Sequence, residues 1–184
     1  MADFRSQKTD DLIVTAFVDL VLEKGFDHVT VTSIADRALI NRKTFYEHYP
    51  DKFALTDAIR HAIIMWFEMT LQKRATLIRQ GMGLSETIGQ LEPELRQLLT
   101  SWRQPLNALL SIHEVKPQLL DDIQQVLSAQ LKWGARQPVS ELTINVLNGI
   151  MMGMLKYDLE TNQLPSRQEL QELTQNIRLI LGDT

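Results

Sequence analysis

The chain contains no cysteine among its 184 residues. That excludes disulfides and thiolate metal sites, and it fits a reducing, cytoplasmic location. Glycine and proline are scarce, at 8 and 6 residues, so little interrupts long helices. No apolar run approaches the roughly 18 residues of a membrane-spanning helix. The opening MADFRSQKTDD is polar and acidic, unlike a secretion signal. Low-complexity tracts and internal repeats are missing. So are the ingredients of catalysis: His28, His48, His61 and His113 are scattered without metal-ligand spacing, and there is no phosphate-cradling glycine loop, nucleophile elbow or paired-strand pattern. No enzyme activity, metal or cofactor is expected.

What is present is helical patterning. Apolar residues make up 44% of the chain, enough at this length to bury one sizeable core or two small ones. The most informative stretch is Thr30 to Leu55, TVTSIADRALINRKTFYEHYPDKFAL. Thr30 is an N-cap candidate with Ser33 three residues on, and Ile34, Ala35 and Ala38 share one face of a short helix. Asn41 caps a second helix, on which Phe45 and Tyr49 lie one turn apart. Pro50 breaks that helix, and Asp51 can cap the next.

This stretch resembles the helix-turn-helix of the TetR family of bacterial transcription regulators. The resemblance rests on Thr30, Ile34-Ala35, Ala38, Thr44-Phe45-Tyr46, Tyr49-Pro50, Lys52 and Ala54-Leu55. It extends back through Ile13-Val14, Ala16-Phe17, Val21 and Gly25-Phe26, covering about the first third of the chain. Two positions depart from the family pattern: Leu39 stands where glycine is usual in the turn, and Lys43 where a small residue is common. The resemblance implies an all-α fold of about nine helices. A DNA-binding head over 1–50 would precede a ligand-binding and dimerisation bundle over 51–184.

The net charge of −4 is unusual for a DNA binder, whose affinity comes from neutralising phosphates. From Thr30 to Leu55 the bases are Arg37, Arg42, Lys43 and Lys52, against Asp36, Glu47 and Asp51. Arg42 and Lys43 fall on the N-terminal turn of the second helix, where a recognition helix meets base edges. Asn41, Arg42, Lys43 and Thr44 carry groups that can read bases. By resemblance, Thr30, Tyr46, His48 and Lys52 fall where backbone contacts are usual, and Thr32 joins the DNA-binding set.

Beyond the head, Gly25 should stop a first helix from Ser6 to Lys24. A long helix should run from Asp51 to about Arg79, another from Leu84 to Trp102, and a short one should open at Pro105. Pro117 should begin a helix that Gly134 ends. The last two helices are expected over about 140–160 and from Ser166, where Ser166 and Glu169 form a capping box. The first of these is apolar on more than one side, which calls for burial on more than one side. A partner subunit is therefore expected on Leu147, Ile150, Met151 and Met154, together with Leu170, Leu173 and Ile177. Met65, Trp66, Met69 and Trp102, with His113, Trp133 and Tyr157, are candidates for a small-molecule pocket: mostly apolar, with a few orienting polar groups. The expected function is a homodimeric regulator on a palindromic operator in double-stranded DNA, a repressor released by a small apolar or aromatic effector. The alternative is a helical protein-interaction module, an adaptor or coactivator that retains the head shape.

Overall fold

Gly25 takes φ 80°, a conformation open mainly to glycine, and there the first helix ends, the Gly25 N–H reaching Val21 O at 2.9 Å. Phe26 folds back edge-on against Phe17, ring centroids 6.2 Å apart. The computed structural model describes residues 2–82, 100–135, 137–163 and 165–181. They form eight α-helices and no strand. These are α1 (Ala2–Lys24), α2 (Val31–Arg37), α3 (Arg42–His48), α4 (Lys52–Arg79), α5 (100–111), α6 (Lys116–Gly134), α7 (Glu141–Thr161) and α8 (Arg167–Leu181), with a 3-10 turn at Phe26–His28.

Each short helix of the head begins where a side chain caps it. Thr30 Oγ1 accepts from Ser33 N at 3.1 Å and Ser33 Oγ accepts from Thr30 N at 3.0 Å, a reciprocal box. Asn41 Oδ1 accepts from Lys43 N at 2.9 Å, and Asp51 Oδ1 from Ala54 N at 2.8 Å. Between α2 and α3, Leu39 adopts φ 56° with its side chain 92% exposed. The left-handed turn costs a non-glycine residue roughly 1 kcal/mol, and no burial offsets it. Leu39→Gly should therefore stabilise the protein by roughly 0.5–1 kcal/mol, read as a higher urea midpoint; an unchanged midpoint would show the turn to be unstrained.

One cluster of buried side chains runs from the head into the bundle, across the boundary expected after residue 50. It passes from Ile13 and Phe17 of α1 through Ile34 of α2, Phe45 of α3, and Leu55, Ile59 and Ile63 of α4. It continues into Leu109 of α5 and Leu119, Ile123 and Leu127 of α6. α4 and α6 make the most extensive pairing between described helices. Gly134 permits a close approach, since a Cβ there would meet Ala75 Cβ at 3.1 Å. Two arginines tie helices together: buried Arg60 of α4 donates to Asp122 of α6, and half-buried Arg103 of α5 donates to the Asp158 carboxylate and carbonyl of α7 at 2.9 and 2.5 Å.

The second half departs from expectation in two places. Pro105 does not open a helix; it sits inside α5, which is already helical from residue 100. Proline has no N–H to give the preceding turn, so α5 lacks one ladder bond at that point. The helix expected from Leu84 to Trp102 lies outside the described residues up to 99. α7 buries Ile144, Asn148 and Asp158, whereas Leu142 and Val146 stay exposed. Its apolar surplus is therefore uncovered within one chain. No described helix is long and apolar enough to cross a membrane.

Candidate nucleic-acid interface and ligand cavity

The head positions its polar side chains by burying the apolar ones. Ile34, Ala35 and Phe45 are at most 1% exposed, which turns the opposite face of α3 outward. Asn41, Arg42, Lys43 and Tyr46 are exposed there and Thr44 is half-buried; Thr30 and Thr32 are exposed at the start of α2. Arg42 and Lys43 make no ion pair among the described residues, so their charge is available to a polyanion.

Other basic groups of the head are already engaged. Arg37 forms a two-pronged pair with Glu23 of α1, at 2.8 and 2.6 Å. The fork holds the Glu23 carboxyl below its usual range. Lys52 Nζ donates to the carbonyls of Phe26 and Val29 at 2.9 and 3.0 Å and stands 4.3 Å from the Phe26 ring centroid. It keeps one donor for anything else. His48 Nδ1 lies 3.4 Å from Asp10 Oδ1, which also accepts from the Tyr49 hydroxyl at 2.5 Å. Burial, reinforced by that hydrogen bond, pushes the Tyr49 phenol well above its ordinary value. Asp10 and Glu23 thus organise the head, and sequence reasoning assigned neither a role.

The expected pocket residues do not converge. Trp66 and Trp102 stack, centroids 6.3 Å apart, but the space beside them is about 10 Å³, room for a single water. Met65 and Met69 are 63% and 67% exposed: on α4 they lie off the stripe of Ile59 and Ile63 that meets the core. His113 is exposed in the turn between α5 and α6. Trp133 is partly exposed under the Arg79 guanidinium, 4.8 Å from it. The Tyr157 hydroxyl donates to Glu169 of α8 at 2.8 Å.

The sizeable cavity lies further along α4. It measures about 340 Å³ and is lined by Leu71, Arg74 and Ala75 of α4, Leu127, Gln130, Leu131 and Gly134 of α6, Ala135 and Val139 of the following loop, and Leu147 and Met151 of α7. Leu147 and Met151, expected at a subunit interface, therefore face this cavity. Ile150 and Met154 are half-buried, Leu170 is half-buried and Leu173 exposed; the side chain of Ile177 lies outside what is described. Arg74 and Gln130 went unnoticed in the sequence. The available signal was a base at position 74 on the same helical face as Leu71 and Ala75.

A helix-turn-helix with a free basic pair on its second helix, continuous with a helical bundle, defines a class of DNA-binding regulator folds. Residues 13–59 match the family described as bacterial regulatory proteins, tetR family. Over this head the chain is similar to the TetR family. It is 45% identical over 51 residues to the uncharacterized HTH-type transcriptional regulator YdeS of Bacillus subtilis (strain 168), a match spanning 28% of this chain and 26% of that protein. The whole fold is similar to the multidrug binding protein EbrR complexed with malachite green, with TM-score 0.64 and 16% identity over 91% of this chain and 96% of that one. It is also similar to a transcriptional regulator (TerR/AcrR family) from Aquifex aeolicus VF5, with TM-score 0.57 and 17% identity over 94% and 99% of the two chains.

Proposed function

We propose that the protein is a homodimeric, sequence-specific DNA-binding transcription regulator, a repressor released by a small molecule held in the 340 Å³ cavity. The observation that carries the reading is the unpaired Arg42 and Lys43 at the capped N-terminus of α3, while Arg37 and Lys52 have partners. Arg and Lys there can bond guanine O6 and N7, and Asn41 can pair with adenine. Tyr46, beside them on the exposed face, suits phosphate.

Release follows from geometry. Two heads grip successive major grooves only when their recognition helices are about 34–36 Å apart. α4 begins in the head and lines the cavity with Leu71, Arg74 and Ala75. A guest there that favours one tilt of α4 spoils the spacing, and typical couplings of about 1–3 kcal/mol loosen DNA some 5–150-fold. EbrR, with malachite green bound, supports a fold of this type housing an aromatic guest.

Fluorescence anisotropy with DNA from upstream of the gene tests the reading. Lys43→Ala should cost about 1–3 kcal/mol on the operator and little on unrelated DNA. Lys52→Ala, by contrast, should lower thermal stability more than it changes the salt slope, because Lys52 holds two loop carbonyls. Parent-like operator binding by Lys43→Ala would remove Lys43 from the interface. Failure of the wild type to shift any upstream DNA would favour the protein-interaction alternative.

A further inference from the structure

Among the described residues, the polar side chains lining the large cavity are Arg74 and Gln130; the rest of its wall is apolar. Arg74 Nε and Gln130 Oε1 are both sealed from solvent, and neither has a hydrogen-bond partner. Two other arginines of the bundle have carboxylate partners. Arg60 meets Asp122 and Asp57, and Arg103 meets Asp158. Burial alone pushes the Arg74 guanidinium below its ordinary range, with no carboxylate offsetting it. A guanidinium drawn largely out of water with no carboxylate to pair it is costly to a fold, and an unmet amide acceptor in the same cavity wall adds to that cost. An arrangement of this kind is relieved by a guest that brings the missing charge.

We propose that the cavity takes an apolar monocarboxylate, its carboxylate on Arg74, its hydrocarbon or ring against Leu71, Leu127 and Leu147, and a polar substituent within reach of Gln130. The inference rests on the reading of this cavity as an effector site and adds the guest's charge. A single guanidinium satisfies a single negative charge, bidentately and with a planar match. A dianion such as a phosphate monoester would leave one charge uncompensated against apolar walls. The volume falls at the small end of ordinary ligand pockets, roughly 300–1,000 Å³, which suits one acyl chain or a small aromatic acid and excludes bulky conjugates.

The test is isothermal titration of the full-length protein with decanoate and with decan-1-ol, which share a chain and differ in charge. Decanoate should bind the wild type about 10–100-fold more tightly, the worth of a charge-assisted hydrogen bond. Arg74→Met should lose that preference, and Arg74→Lys should keep most of it. Arg74→Met removes a charge without a partner, so its melting temperature should not fall. The wild-type comparison of acid and alcohol stands even if a variant folds poorly. Equal binding of acid and alcohol to the wild type overturns the charge assignment and leaves the effector-site reading in place. Binding of neither overturns both.

Discussion

Phe45→Ala should lower the melting temperature by roughly 6–20 °C, from a loss of about 3–5 kcal/mol spread over a chain of this size. Phe45 is fully buried and joins three elements. Its ring stands 5.7 Å from that of Tyr46 and 6.0 Å from that of Tyr49, and it belongs to the same buried cluster as Ile34 of α2 and Phe17 of α1. A helix of seven residues is too short to hold its shape alone, so α3 exists because this ring is packed. Truncation removes the packing and leaves a void that so small a head closes only in part. Tyr46→Ala is the control: its side chain is half outside, and its loss should move stability by no more than about 0.5 kcal/mol. Calorimetry on the two variants decides the point. Equal small shifts would mean that α3 is not anchored through Phe45.

Ile150→Arg should yield monomers and weaken operator binding by roughly 10²–10⁴-fold, the gain that linking two heads provides. The motive is α7. One side of it packs on α6, where Ile144 is buried and Asn148 Nδ2 donates to Ser128 at 2.8 Å. The other side leaves Leu142 and Val146 in the open, 74% and 53% exposed, and Leu173 of α8 is 38% exposed. Gly149 and Gly153 stand among them with nothing within 4 Å of where a Cβ would be, so another helix backbone can come close. A second copy related by a two-fold axis is the commonest way to cover such a surface. Arginine at position 150 would place a charge at the centre of that contact without touching the head. Analytical ultracentrifugation is the direct measure, and a variant that sediments like the wild type at micromolar concentration would sink the dimer interface proposed on α7.

Local features of the fold were the readable ones. The capping residues Thr30, Asn41, Asp51 and Ser166 act within three residues of themselves, so spacing alone exposes them. The strained turn at Leu39 and the inward set of Ile34, Ala35 and Phe45 follow from the same short-range logic. Partnerships across distance were not readable. Tyr49 and Asp10 are 39 residues apart, Arg37 and Glu23 are 14 apart, and Lys52 and Phe26 are 26 apart. No periodicity distinguishes an arginine that will face DNA from one that will meet a glutamate on α1. The pocket illustrates the limit. Tryptophans and methionines drew attention as large apolar groups, but a void forms where packed helices fail to fill space. Here that is between α4, α6 and α7, around a base that helical spacing places on the inner face.

The double hydrogen bond from Lys52 to Phe26 O and Val29 O has a mechanical consequence. Lys52 is the first residue of α4, and Val29 immediately precedes the Thr30 cap of α2. These two bonds clamp the base of α4 to the chain entering α2 and restrain the joint between them. A rotation of α4 is then expected to carry α2 with it and, through the packing of Ile34 and Phe45 in one cluster, α3. Phosphate-facing and base-facing groups would then leave the duplex in one concerted step, so release is expected to be switch-like, with no intermediate in which one set still holds.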